Sequence, residues 1–136
     1  MKALKSMIRL ERWGLEEKRR ELLRIQSQVS SVETAREELD SEVKHQQAAI
    51  TDEVEMIFAY GNYAQGVLWR RDELAKEMQK LEPVVLESRE QVASAYQSVR
   101  RYEIILEGKQ KREAEESQRQ EQRNIDDISM DIYRRK

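Results

Sequence analysis

From Leu4 to Ile57 apolar side chains return at heptad spacing, and this period limits what the chain can become. One register holds throughout: Ile8, Leu15, Leu22, Val29, Arg36, Val43, Ile50 and Ile57 fall at position a, with Leu4, Ile25, Val32 and Leu39 at d. Residues so spaced line one face of a helix and form a coiled-coil seam, which is buried only when another helix lies against it. Composition excludes the alternatives. Charged residues are 38% of the 136, aromatics 6%, and there is one proline, which leaves too little apolar volume for a compact core. The periodicity in turn argues against a disordered chain.

The partner helix lies later in the same chain. In FAYGNYAQG two glycines and an asparagine interrupt the pattern, a composition that suits a reversal because glycine tolerates dihedrals a helix forbids. A second seam then runs through Val67, Leu74, Met78, Leu81, Val85, Val92, Ala95, Val99, Tyr102 and Leu106. The expected fold is all-α: a single elongated domain over residues 1–136, built as a two-helix antiparallel coiled-coil hairpin with a protruding C-terminal helix. Its first helix covers about residues 2–59, the turn about 60–65 and the second helix about 66–134. Facing residues in such a pair have numbers of constant sum. A tight turn at Tyr60 to Asn62 makes that sum about 121, with Leu15 against Leu106 and Val43 against Met78; a slip of one heptad, to about 114, sets Ile8 against Leu106 and moves the pairing by roughly 10 Å. The tighter alignment is the preferred one. Two residues conflict with their positions. Pro83 removes a helical hydrogen bond and predicts a kink, while Arg36 at position a must lay its stem along the seam and send its guanidinium to solvent.

The eighteen residues EGKQKREAEESQRQEQRN, from Glu107 to Asn124, contain no apolar side chain except Ala114. They begin at or near the last good layer, so they read as a solvated helical stalk whose charges pair along its own surface, as Glu113 would with Lys109 and Arg112. Beyond them Ile125, Ile128 and Ile132 form a fresh stripe, and at the same open end lie Leu4, Ile8 and Trp13. The preferred alignment offers these no well-packed layer, which predicts a partner-docking surface.

Catalytic chemistry finds little support. Asp126 and Asp127 are adjacent on a helix and diverge by about 100°, with no third ligand nearby, so neither a catalytic pair nor a metal site is expected. His45 falls outside the seam positions and reads as a surface residue. There is no Gly-rich phosphate loop and no nucleophile–base pair, so the expectation is no catalytic residue, no metal and no cofactor. With no cysteine, disulfides and thiolate metal sites are excluded and a reducing, intracellular setting is expected. The start MKALKSMIRLERW breaks its apolar residues with charges, unlike a secretory leader, and no segment approaches membrane-span length. A net charge of −2 gives no general attraction to nucleic acid.

The stretch RRYEIILEGKQKREAEESQRQEQRNIDDIS, with its Tyr-Glu pair, charged helix and closing Asn-Ile-Asp-Asp, resembles the tail of the FliJ family, small coiled-coil components of the flagellar type III export apparatus. The start MKALKSMIRLERWGLEEKRRELL and the tip YGNYAQGVLWRRDEL are also similar to that family, so the resemblance covers nearly the whole chain. It implies a non-enzymatic stalk, cytoplasmic and peripheral to the membrane-embedded apparatus and similar to the central shaft of rotary ATPases; the pairing of the two seams within one chain predicts a monomer in isolation at micromolar concentration. The open end would enter a hexameric export ATPase, with contacts from Leu4, Ile8, Arg9, Arg12, Trp13, Ile125, Asp126, Asp127, Ile128 and Ile132. The tip would reach the cytoplasmic domain of an export-gate membrane protein through Phe58, Tyr60, Tyr63, Val67, Trp69 and Arg70, and export chaperones would be further partners.

Each of these contacts has a plainer reading. Trp13 beside Gly14 is either an interface anchor or a cover for its own helix, and the tip aromatics either bind the gate or plug the closed end. Arg9, Arg12, Arg19, Arg20 and Arg24 suit acidic loops of an ATPase pore, or form a solvated face interleaved with Glu11, Glu16, Glu17 and Glu21. Other functions stay open at this stage: a general coiled-coil adaptor or export chaperone, the equivalent stalk of a virulence-type system, or a filament-like dimer with helices paired between chains.

Overall fold

A computed structural model describes residues 1–50 and 53–135, and among these the chain is helical, with no strand. Helix α1 spans Lys2–Ala48 and helix α2 spans Val54–Arg135. The two pack against each other as a helical hairpin. Thr51 and Asp52, which the expected first helix contained, lie outside the described residues. The chain divides into two units, one from Glu16 to Ala93 and one joining Met1–Leu15 to the residues from Ser94 onward, and each sets a piece of α1 on a piece of α2.

In the Glu16–Ala93 unit the seam forms from the expected heptad positions. Ile25, Val32 and Leu39 are 3%, 7% and 4% exposed, Val43 is 9% and Val67 of α2 is 4%; Leu22, Val29, Leu74, Met78, Leu81, Val85 and Val92 are half-buried. Leu39, Val43 and Val67 form one cluster, with Tyr63 and Leu74 against it. None of the described side chains falls below 2% exposure, as expected when two helices are the only layers. The buried Ile, Val and Leu side chains are nonetheless more than nine-tenths covered, so each contributes within the usual ~1.5–3 kcal/mol. Arg36 is exposed and half-buried Ala35 faces inward near its level. A small side chain one position earlier fills the layer without desolvating a guanidinium. Ser88, in phase with Leu81, Val85 and Val92, is buried at 5%.

The reversal is not where the glycines are. It falls between Ala48 and Val54, and Gly61, Asn62 and Gly66 all lie inside α2. None of the described glycines has positive φ. Glycine tolerates a turn without requiring one, and its cost of ~1 kcal/mol in a helix is offset by packing Tyr63 and Val67 onto α1. Ile50 and Ile57, expected as seam residues, are 37% and 54% exposed, so the α1 seam ends at Val43.

Register changes with the turn. Val43 clusters with Val67 instead of Met78, Arg70 reaches Glu42 at 3.3 Å and Arg71 reaches Asp40 at 3.1 Å. These pairings contradict the tighter alignment and lie near the slipped one. In the Met1–Leu15 unit Arg12 meets Glu103 at 3.2 Å, again as in the slipped alignment. Ile8, Leu15 and Val99 are 3%, 5% and 3% exposed, and Leu4, Tyr102 and Leu106 are half-buried.

Helix α2 continues through Pro83 without a break. Pro83 is exposed, off the seam, on a face where the carbonyl deprived of its donor can be hydrated.

Candidate partner-docking surfaces

The unit that contains the first turns of α1 holds an apolar surface that the fold leaves uncovered. Every residue from Lys109 to Arg135 is exposed. Within this stretch the polar contacts run along the helix itself: Arg112 Nε donates to the Gly108 carbonyl at 3.3 Å and Gln122 Nε2 to Asp126 Oδ1 at 3.1 Å, and Arg119 forms a longer ion pair with Glu116 at 3.9 Å. Among the described residues no ion pair joins Glu113 to Lys109 or Arg112. At about 100° per residue Ile125, Ile128 and Ile132 share one narrow face, and they are 56%, 61% and 54% exposed. Met130 and Tyr133 are also exposed, at 57% and 81%, but lie off that face, Met130 nearly opposite it.

On the first turns of α1 the face turned away from the seam carries Met7, Leu10 and Trp13, which are 41%, 62% and 64% exposed. Beside them run Lys2, Lys5 and Arg9, all exposed. Arg12 is held differently. Its guanidinium donates to Glu103, which also accepts from Arg100 at 2.7 Å. The Arg100 hydrogen bond, reinforced by Arg12 and opposed by partial desolvation, holds the Glu103 carboxyl below the usual range. Arg19, Arg20 and Arg24, in the other unit, pair along α1 with Glu16, Glu17 and Glu21 at 2.7, 2.6 and 2.6 Å. These three form a self-neutralised solvated face.

In the Glu16–Ala93 unit the tip residues separate into two sets. Tyr60, Tyr63, Val67 and Arg70 turn toward α1. The Tyr60 and Tyr63 rings stand 6.1 Å apart, Gln47 Nε2 donates to the Tyr60 hydroxyl at 3.0 Å, and the Arg70 guanidinium lies 5.9 Å from the Tyr63 ring centre. Partial burial pushes the Tyr63 phenol up, with the Glu42 carboxylate adding to it and Arg70 opposing. Phe58 and Trp69 turn outward, at 75% and 64% exposure. A cleft of about 290 Å³ opens between the helix ends, lined by Gln46, Ala49, Ile50, Met56, Ala59, Tyr60 and Tyr63. Among the described residues that line it there are no convergent charged groups of the kind a reaction needs. Among the described residues no three His, Asp or Glu side chains converge to hold a metal, and no helix is long and apolar enough to cross a membrane.

Compared with known families, residues 7–136 match the Flagellar FliJ protein family, essentially the whole chain. The chain belongs to the FliJ family. No curated protein and no solved structure matches it. Membership makes this FliJ-family chain a component of the flagellar export apparatus and a coiled-coil protein of protein transport, in a family of export components rather than enzymes.

For a FliJ-family chain the residues expected at the ATPase end divide by burial. Trp13, Ile125, Ile128 and Ile132 are exposed and apolar, and Arg9, Asp126 and Asp127 are exposed and charged. Leu4 and Ile8 were expected to lack a layer; instead Ile8 is a seam residue and Leu4 is half-buried beside it. The slipped register gives them partners on α2. Met7, Leu10, Met130 and Tyr133 were missed, because a search for heptads credits only in-phase residues. A search for a second apolar face on the same helices finds them.

Proposed function

We propose that this chain is a non-enzymatic stalk of the flagellar export apparatus. The end carrying the free tail of α2 docks in a hexameric export ATPase, and the hairpin tip meets the cytoplasmic domain of an export-gate membrane protein. The observation that supports this most is the tail: a wholly exposed polar helix that ends in Ile125, Ile128 and Ile132, each more than half exposed. Such a surface costs solubility and contributes nothing to the hairpin, so its use lies in a partner. Arg9 is exposed and enters no ion pair among the described residues, leaving it free for an acidic loop, while Asp126 and Asp127 beside the isoleucines would meet basic groups. At the tip Phe58 and Trp69 are the gate contacts that the hairpin does not already use. Tyr60, Tyr63, Val67 and Arg70 act there by holding α2 in place. ATP chemistry belongs to the ring, and the chain works in the cytoplasm at the membrane-embedded apparatus, with export chaperones as further partners.

Site-specific photo-crosslinking tests this reading. A photoreactive side chain at Ile128 is expected to capture the export ATPase, and one at exposed Glu87 is not. Capture of the ATPase from Glu87 with none from Ile128 would sink the assignment of the docking end.

A further inference from the structure

The start of α2 carries a second apolar stripe, and we propose that it pairs antiparallel with the same stripe of a second copy of this chain, about a two-fold axis near Gly61. Val54, Ile57, Phe58, Gly61, Leu68 and Trp69 fall within one sector of the helix at about 100° per residue, on the side opposite Val67. Val67 is buried at 4%, whereas Val54, Ile57, Phe58, Leu68 and Trp69 are 73%, 54%, 75%, 64% and 64% exposed. The hairpin therefore uses one face of this segment and leaves in solvent a second face that is apolar except for Gln65. This inference stands apart from the docking of the tail; it shares Phe58 and Trp69 with the proposed gate contact, so self-pairing and gate binding exclude each other.

Two further features identify the occupant. Gly61 lies midway along the stripe, its φ is not positive, and a Cβ placed there would meet nothing within 4 Å. The hairpin gives no reason for a glycine at this point; the close approach of another helix does. The charges are also self-complementary. Glu53, which directly precedes α2 and accepts the Ile57 N–H on its carbonyl at 3.1 Å, and Arg71 stand at opposite ends of the stripe, and an antiparallel two-fold sets Glu53 of each copy near Arg71 of the other, with Phe58 beside the other copy's Leu68. Arg71 already meets Asp40 at 3.1 Å, but both side chains are about half exposed, at 47% and 51%, and such a surface pair is readily exchanged. A segment of about four turns buries less than the ~1,200 Å² of stable complexes, so the pair is weak and populated only toward the upper end of a concentration series.

Sedimentation equilibrium on the full chain from about 10 µM to about 1 mM reads the dissociation constant directly. The wild-type chain is expected to dimerise across this range. Gly61→Leu should keep or raise the melting temperature, since its side chain enters open space, yet weaken dimerisation at least about tenfold. Glu53→Arg and Arg71→Glu should each weaken self-association, and an equimolar mixture of the two variants should restore it, because only the mixed pair matches opposite charges at both ends. A chain that stays monomeric throughout, a Gly61→Leu variant that dimerises as before, or a mixture no tighter than its components would each overturn the proposal. So would association that occurs only when the gate's cytoplasmic domain is added, which would assign the stripe to that partner.

Discussion

Ile8 distinguishes two ways of laying α1 on α2. With the tighter turn it has no layer, whereas at 3% exposure it is a seam residue. Ile8→Ala is therefore expected to destabilise the chain by about 2 kcal/mol or more, as buried large-to-small changes do; an unchanged denaturant midpoint would restore the tighter alignment. Glu103 carries a second residue-scale prediction. Its carboxyl is held below the ordinary 4.5, first by Arg100 and then by Arg12. The folded value is thus lower than the unfolded one, and the associated stability is present above about pH 4.5 and lost as pH falls through the folded value. Glu103→Gln should make acid unfolding below that pH less steep than in the wild type, and an acid limb of the same slope would mean the cluster contributes nothing. Such details are hard to read in a sequence. Ser88 is polar, so an apolar pattern passes over it, and Arg36 sits at an in-phase position from which half-buried Ala35 displaces it.

At the scale of the element, the two helices and their seams were legible and the position of the reversal was not. Gly61 and Gly66 drew the turn to themselves, although both are accommodated in α2 at ordinary helical cost. The signal that could have placed the helix start correctly is Glu53 and Glu55 at the head of an apolar run, acidic side chains of the kind that suit a first helical turn. Because a Cβ at Gly66 would meet nothing within 4 Å, Gly66→Ala should stabilise the chain by about 0.5–1 kcal/mol. A turn at Gly66 would give the opposite sign, measurable by urea titration. Pro83 is treated the same way. It lies inside an unbroken α2 on an exposed face, so Pro83→Ala should raise stability, by up to about 3 kcal/mol, and a loss would show that the helix needs the proline.

For the molecule as a whole, the apolar period and the polar stretch of Glu107–Asn124 were enough to anticipate a hairpin with a protruding helix, because both are one-dimensional patterns. Which apolar residues stay free was only partly legible. That depends on register, and a heptad repeat offers several registers of nearly equal merit. The isoleucines of the tail escaped this ambiguity because no register places α1 beside them, and so they carry the central claim. Replacing Ile125, Ile128 and Ile132 with serine, and measuring thermal melting and association with the hexameric export ATPase on the same preparation, tests it most directly. The account predicts a melting temperature almost unchanged and association greatly reduced, since each Å² of apolar surface that docking removes from water contributes roughly 25 cal/mol. A large fall in melting temperature with ATPase association intact would contradict it.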